Sequence, residues 1–238
     1  MNIAIISDIH CNKFALASFF DQIEKQEIKA IINLGDTFGY YPWAVETKRI
    51  IDNFDGEYFS LKGNHDELLI NADCLDNSVS YYDALKYNKT ELDKVFPNYV
   101  QCFLNMDSQS KFSINSIEFN CYHGTPKDSL NGRFYPDNKE EKDWFPNNKE
   151  IILLGHTHYP LERKFKNGGL ILNPGSIGQP RDGNVDGSFI IFNSITASYK
   201  FLRFSYNIQK VVDELLKMDW DKIAISALQK SKNGMLSV

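Results

Sequence analysis

Short apolar runs alternate with helix-spaced apolar positions over the first 65 residues of the chain. Residues 3–6 form a continuous apolar run of buried-strand length, and Phe14, Leu16, Ala17, Phe20 and Ile23 then recur at helical spacing, with Asn12 placed as the N-cap. Residues 28–34 predict a second strand, residues 42–54 a helix with Pro42 in its first turn, and residues 58–61 a third strand. This β-α-β-α-β order predicts a sheet covered by helices. From about residue 67 to 105 the pattern is helical, with Leu68, Leu69, Val79, Tyr82, Leu85, Leu92 and Val95 spaced by threes and fours until Pro97 breaks it. No catalytic motif stands out there, and the stretch reads as a helical insert. Residues 111–114 and 117–122 predict two strands around Asn115-Ser116, and residues 151–154 another buried strand. Between them, about residues 127–148 hold Gly132, Pro136 and Pro146 without strong periodicity and read as a lid-like loop. Residues 161–165 with 170–172, and 189–192 with 199–204, predict two hairpins; residues 211–218 predict a helix, and those from Asp219 onward carry no assignable pattern. No repeat or low-complexity linker interrupts the chain, so residues 1–238 are expected to form one domain.

Composition narrows the class. The 238 residues are 42% hydrophobic, enough for a sizeable core, and carry a net charge of −5. That balance speaks against a broad basic surface that would hold duplex nucleic acid through its phosphates. Four cysteines at positions 11, 74, 102 and 121 form no CxxC pair, which favours reduced thiols over a zinc ribbon or a disulfide framework. The N-terminus has no cationic leader, its apolar run stops at Ser7 and Asp8, and no apolar run approaches the roughly 18–20 residues of a membrane span. A cytoplasmic protein without membrane association is expected.

The candidate chemistry sits at strand ends. Ser7-Asp8-Ile9-His10 follows the first strand, Gly35-Asp36 the second, Gly63-Asn64-His65-Asp66 the third, His123-Gly124 the fifth and Gly155-His156-Thr157-His158 the sixth. All five histidines are thereby used. Carboxyl ends of strands in α/β sheets are where ligand sites assemble. The donors are Asp and Asn oxygens and His nitrogens with no thiolate, which suits Mn, Fe or Zn better than copper(I) or an iron–sulfur cluster. They outnumber what one metal needs. Two ions roughly 3.5–4 Å apart that share a carboxylate clamp a phosphoryl group and activate water, which points to phosphoester hydrolysis.

In this order and on this frame, Asp8-x-His10, Gly35-Asp36, Gly63-Asn64-His65-Asp66, His123 and Gly155-His156-x-His158 resemble the calcineurin-like metallophosphoesterase superfamily over nearly the whole chain. The segment from Asp8 to Asn12 with Ala15-Leu16, Gly35-Asp36 followed by Gly39-Tyr40, and residues 173–182 resemble its small bacterial and archaeal phosphodiesterase branch, which includes enzymes similar to diadenosine tetraphosphatases. The resemblance implies an α/β (α+β) fold, a four-layer α-β-β-α sandwich of two mixed β-sheets flanked by helices. It implies one metal on Asp8, His10 and His158, another on Asn64, His123 and His156, and Asp36 bridging them. It further implies attack on a small phosphodiester, nucleotide or dinucleoside polyphosphate by a hydroxide bridging the two ions. His65 is the implied catalytic histidine, which stabilises phosphoryl oxygens or protonates the leaving oxygen, and Asp66 is expected to orient it and hold it protonated.

Two departures matter. Cys11 stands where the branch has Gly, so a thiol lies beside the metals, for packing or for redox chemistry. Thr37-Phe38-Gly39-Tyr40 replaces the Asp-Arg pair of the superfamily's protein phosphatases, which weakens that role. For substrate, residues 175–181 could cradle a phosphate through backbone N–H groups and Arg181, or form a tight turn tied by an Arg salt bridge. Phe134, Tyr135, Trp144 and Phe145 in the loop, and Tyr40, Tyr41 and Trp43, could stack on a nucleobase or pack against the sheet; Tyr81, Tyr82 and Tyr87 read as packing within the insert. Other readings remain: a catalytically weak metal-binding scaffold for protein partners, against which the full ligand set speaks, and a phosphomonoesterase or nuclease on the same fold. A metallo-β-lactamase-type hydrolase is disfavoured because its HxHxDH cluster is missing.

Overall fold

Side-chain alternation along the first strand explains how the layers stack. In β1 (Asn2–Ile6), Ile3 and Ile5 face the space between two sheets, and Ala4 and Ile6 face outward, where α1 (Lys13–Ile23) lays Ala15, Leu16, Phe19 and Ile23 on them. The Asn12 side chain caps α1 by accepting from the Ala15 N–H at 3.1 Å, and its amide donates to the Gly178 carbonyl at 2.8 Å. The computed structural model describes residues 1–76, 79–138, 144 and 146–230, with residues 229 and 230 described by backbone alone.

After α1 come β2 (Ile28–Asn33), α2 (Ala44–Asp52), β3 (Glu57–Ser60), α3 (Asn64–Ile70), α4 (Ser80–Val95), β4 (Gln109–Ile114), β5 (Ile117–Tyr122), β6 (Glu150–Leu154), β7 (Pro160–Lys164), β8 (Leu170–Pro174), β9 (Gly187–Asn193), β10 (Ser198–Phe204), α5 (Ile208–Lys217) and α6 (Lys222–Lys230). The first sheet has the order β10-β9-β1-β2-β3, with β1, β2 and β3 parallel and β9 antiparallel to both β1 and β10. The second has the order β4-β5-β6-β8-β7, parallel through β5, β6 and β8 and antiparallel at both edges. Ile5, Ile32 and Ile190 from one sheet meet Phe119, Leu153 and Leu172 from the other in the shared interior. Phe119 packs edge-on to Phe192 across it, with ring centroids 5.1 Å apart.

The expected α/β architecture of two mixed sheets flanked by helices is observed. Particular elements depart from expectation. The helix expected over 42–54 begins only at Ala44, and the one expected from 67 begins at Asn64, so the third candidate motif forms its first turn. Strand β3 is a half-exposed edge strand that begins one residue before the expected range. Over the outer face of the second sheet, the described packing comes from Phe134 and Trp144 of the loop, which rest on Ile152, Leu154, Leu161 and Ile171. The patternless C-terminal region contains α6, whose Ala224, Ile225 and Leu228 join Leu69, Leu85, Leu92, Val211 and Leu215 in a helical core. Five of its nine residues are apolar but only these three of them are buried, so no single helical face stands out in the sequence.

Candidate metal centre

The loops leaving β1 and β2 run side by side and extend the strand ladder. The N–H groups of Asp8, His10 and Cys11 donate to the carbonyls of Gly35, Asp36 and Thr37, each at 3.0 Å. Such pairing needs sharp turns: Asp8, His10, Cys11 and Asp36 hold φ between +50° and +60°, and His156 and His158 hold +62° and +65°. Each left-handed non-glycine residue costs roughly 1–2 kcal/mol, and residues held this way collect at functional sites. Gly63, just before Asn64, packs so tightly on the Asp36 carboxylate that a Cβ there would collide with it. From the second sheet, the His123 carbonyl accepts the Gly155 N–H at 2.9 Å, which holds the ends of β5 and β6 together.

These turns gather the donors. Asp8, His10 and His158 each bring one donor atom within 4.8 Å of the others; so do Asp36, His123 and His156, and so do His10, Asp36 and His65. Asp36 Oδ2 lies 3.7 Å from His10 Nε2 and 3.5 Å from His123 Nε2, and Asp8 Oδ1 lies 3.3 Å from His158 Nε2. Asn64 Oδ1 joins at 3.1 Å from His123 Nε2. Nδ1 of His10, His123 and His158 faces the carbonyl of Phe38, Leu34 and Gln179 at 3.3, 2.8 and 2.6 Å. A carbonyl only accepts, so Nδ1 carries the proton and the Nε2 lone pair is turned into the cluster, the usual outer arrangement around a metal-binding histidine.

The cluster fits a cation. Both Asp8 carboxylate oxygens are fully buried without a hydrogen-bond partner, a costly state for a carboxylate unless a positive charge joins it. His10 Nε2 and His158 Nε2 stand 3.2 Å apart, lone pair towards lone pair. Burial pushes the Asp8 carboxyl up to about 7 against the opposing pull of His123, and pushes Asp36 well above the carboxylate range, with the Asp66 charge adding to it. Burial likewise holds His10 and His158 well below the imidazole range and brings His156 down to about 3, with the charges of His123 and Arg133 adding to the latter. Neutral imidazoles are ready ligands, and a bound ion supplies the charge that buried carboxylates require.

His65 lies edge-on to His10 with centroids 4.9 Å apart, its Nδ1 is buried without a partner, and burial together with Arg181 brings it down to about 3. The expected Asp66–His65 hydrogen bond is absent. The Asp66 carboxylate instead accepts the N–H groups of Gly63, Phe38 and Thr37 at 3.0, 3.1 and 3.3 Å. As the third residue of α3 it lies beside unpaired N–H groups of the helix start and of the turn after Asp36, and these outcompete the imidazole. Asp66 therefore fixes backbone, not His65.

The other candidate residues are placed around the cluster as follows. Arg181 donates to Gln179 Oε1 at 2.7 Å and to the Tyr40 hydroxyl at 3.3 Å; the ion pair beside it joins Asp182 to Arg203 instead. Tyr40 edges the cluster, 4.7 Å from both His10 and His65 by ring centroid. Tyr41 and Trp43 are buried in the helical core, Phe134 packs on Trp144 at 5.0 Å, and Tyr135 meets Tyr159 at 5.5 Å, while Phe145 lies outside the described residues. Cys11 is fully buried and burial raises its thiol well above the ordinary range, which supports the packing reading. Three neighbours of the cluster escaped the sequence reading. Tyr81, assigned to insert packing, lies 4.8 Å from His65 by ring centroid; Arg133 Nε is 3.3 Å from His156 Nε2; and the Trp220 indole donates to the Tyr40 carbonyl at 2.8 Å. Tyr81 shares the helical period of buried Leu85 and Leu92, so the pattern alone cannot separate it from core. Among the described residues, no helix is long and apolar enough to cross a membrane.

The chain is similar to known proteins in sequence and in fold. The model of the calcineurin-like phosphoesterase family matches residues 1–186, a span that takes in every histidine and carboxylate of the centre. An uncharacterized protein of Methanocaldococcus jannaschii is 30% identical over 234 residues, covering 90% of this chain and 92% of its own. A metallophosphoesterase from Sphaerobacter thermophilus shares the fold with a TM-score of 0.80 at 24% identity, over 97% of this chain and 100% of that one. A hypothetical protein from Pyrococcus horikoshii does so with a TM-score of 0.80 at 21% identity, over 95% and 97%. On the family match and the relative at 30% identity, the chain belongs to the calcineurin-like phosphoesterases.

Proposed function

We propose that this phosphoesterase uses two metal ions to hydrolyse a small phosphodiester or nucleotide, dinucleoside polyphosphates included. One observation carries the reading: three imidazoles are pinned at Nδ1 by carbonyls so that their Nε2 atoms converge on two buried carboxylates. In the proposed division Asp8, His10 and His158 hold one ion and Asn64, His123 and His156 the other. Asp36 serves both, in keeping with its position between His10 and His123. The oxygen and nitrogen donors suit Mn, Fe or Zn. Ions held there would lower the pKa of water and offset charge developing on the phosphoryl oxygens.

The chain's own residues do the rest. With its pKa near 3, His65 is neutral, and it serves as an N–H donor to a phosphoryl or leaving oxygen rather than as a charged acid held by Asp66. Arg181, steadied by Gln179 and Tyr40, offers its guanidinium to a phosphate beside His65. Residues 67–105 are taken as an insert of this same unit, since they supply Tyr81. The reading is tested by incubating the purified chain with Mn²⁺ and either bis(p-nitrophenyl) phosphate or diadenosine tetraphosphate. Turnover that is lost on chelation is expected. Metal-loaded protein inert towards both, and towards phosphomonoesters, would overturn it.

A further inference from the structure

Arg133 is an exposed cation held in place by buried neighbours. After His123 the chain doubles back, with the Thr125 N–H donating to the Asp128 carbonyl at 2.8 Å and the Gly132 N–H donating to the same carbonyl at 3.0 Å. A Cβ at Gly132 would run into Thr125 and that carbonyl, so the turn closes only around glycine. On the other side Phe134 is 4% exposed and seated on the second sheet. Between these anchors the Arg133 guanidinium reaches the rim of the cluster. Its Nε lies 3.3 Å from His156 Nε2, and among the described residues it has no carboxylate partner. Asp128, whose charge also reaches His156, spends Oδ1 on the N–H groups of Leu130 and Asn131.

The bond to His156 and ligation by His156 exclude each other. A neutral imidazole has one lone pair and one N–H. A ring that gives its lone pair to a metal through either nitrogen keeps the other as N–H, which cannot accept from Arg133. Ligation therefore leaves the guanidinium fork at the rim without that acceptor. The fork matches the oxygens of a phosphate bidentately. Arg181 stands beside Tyr40 and His65, so each side of the centre has an arginine without a carboxylate partner among the described residues. A simple diester brings one negative charge, which Arg181 can meet without Arg133.

Building on the hydrolase reading above, we propose that Arg133 is a specificity residue that binds a second phosphate adjoining the scissile one, so that the site favours nucleoside polyphosphates and dinucleoside polyphosphates over simple diesters. The test compares wild type with R133A and R133K, each loaded with Mn²⁺ and freed of excess ion. Calorimetry gives the affinity for inorganic pyrophosphate and for inorganic phosphate, and kinetics give kcat/KM for diadenosine tetraphosphate and bis(p-nitrophenyl) phosphate. Losing a charge-assisted hydrogen bond predicts that R133A binds pyrophosphate, and turns over the tetraphosphate, about tenfold or more worse, with phosphate and the diester within about twofold. R133K should recover part of the loss, and metal content should not change. An unchanged pyrophosphate affinity overturns the proposal, as does an equal loss for all four compounds, which would place the effect in the metal centre. If no ester is hydrolysed by any of the proteins, the hydrolase reading falls while the pyrophosphate titration still decides for or against Arg133.

Discussion

At the scale of single residues, the division of labour between His65 and the other histidines is open to direct test. His65 has a buried, unpartnered Nδ1, whereas Nδ1 of His10, His123 and His158 faces a carbonyl, so its replacement should spare metal binding. His65→Ala is expected to lower kcat by about 10²–10⁴, the span of a lost proton donor, with metal content by mass spectrometry unchanged. Asp8 gives a pH signature. Its folded-state pKa near 7 lies above the unfolded value, so the chain without metal binds extra protons when folded and loses stability as pH rises from about 4 to 7. A metal ion needs the ionised carboxylate, and the cluster imidazoles with lowered pKa are already neutral in that window, so uptake strengthens with pH. Added Mn²⁺ should therefore raise Tm more at pH 7.5 than at pH 5; an equal rise would contradict the assignment. The positions that gather in the candidate centre were legible in sequence because each lies within a few residues of a strand end. Arg133 and Tyr81 were not, since their place depends on how a loop and an insert fold back.

At the scale of elements, what the sequence carried best was the strand followed closely by a candidate ligand. The run in β1 ends at Ile6 and Asp8 is already in the turn, so strand length alone aims the ligand. Helix starts were less legible. Helix α3 begins at Asn64, four residues before its first apolar residue, because Asp66 satisfies the helix-start N–H of Gly63. Asn12 does two jobs, capping α1 and tying the Gly178 carbonyl. Asn12→Ala should cost about 1–2 kcal/mol in urea unfolding, the upper part of the range for a lost N-cap, because the Gly178 carbonyl also loses its donor. A loss within a few tenths would mean that the cap contributes little here.

For the whole molecule, the alternation in β1 was enough to foresee two apolar faces, but not which layer would cover each. The loop that lays Phe134 and Trp144 over the second sheet has no period of its own, and its packing is set by the sheet beneath. The interior between the sheets is the shared foundation of the centre. Phe119→Ala, which removes a ring packed between Phe112 and Phe192, should destabilise by about 3–5 kcal/mol in equilibrium unfolding, with the metal-bound protein shifted in parallel. The stitching of the first ligand loop carries a consequence for synthesis. Ser176 Oγ and the Gly178 N–H donate to the Asp8 carbonyl at 2.7 and 3.1 Å, and the Ile177 N–H donates to that of Ser7 at 3.0 Å. During translation the earliest turn of the proposed metal centre thus waits, its carbonyls wet, until most of the chain has left the ribosome. A nascent chain arrested before Ser176 should hold metal poorly even though every histidine has already been made.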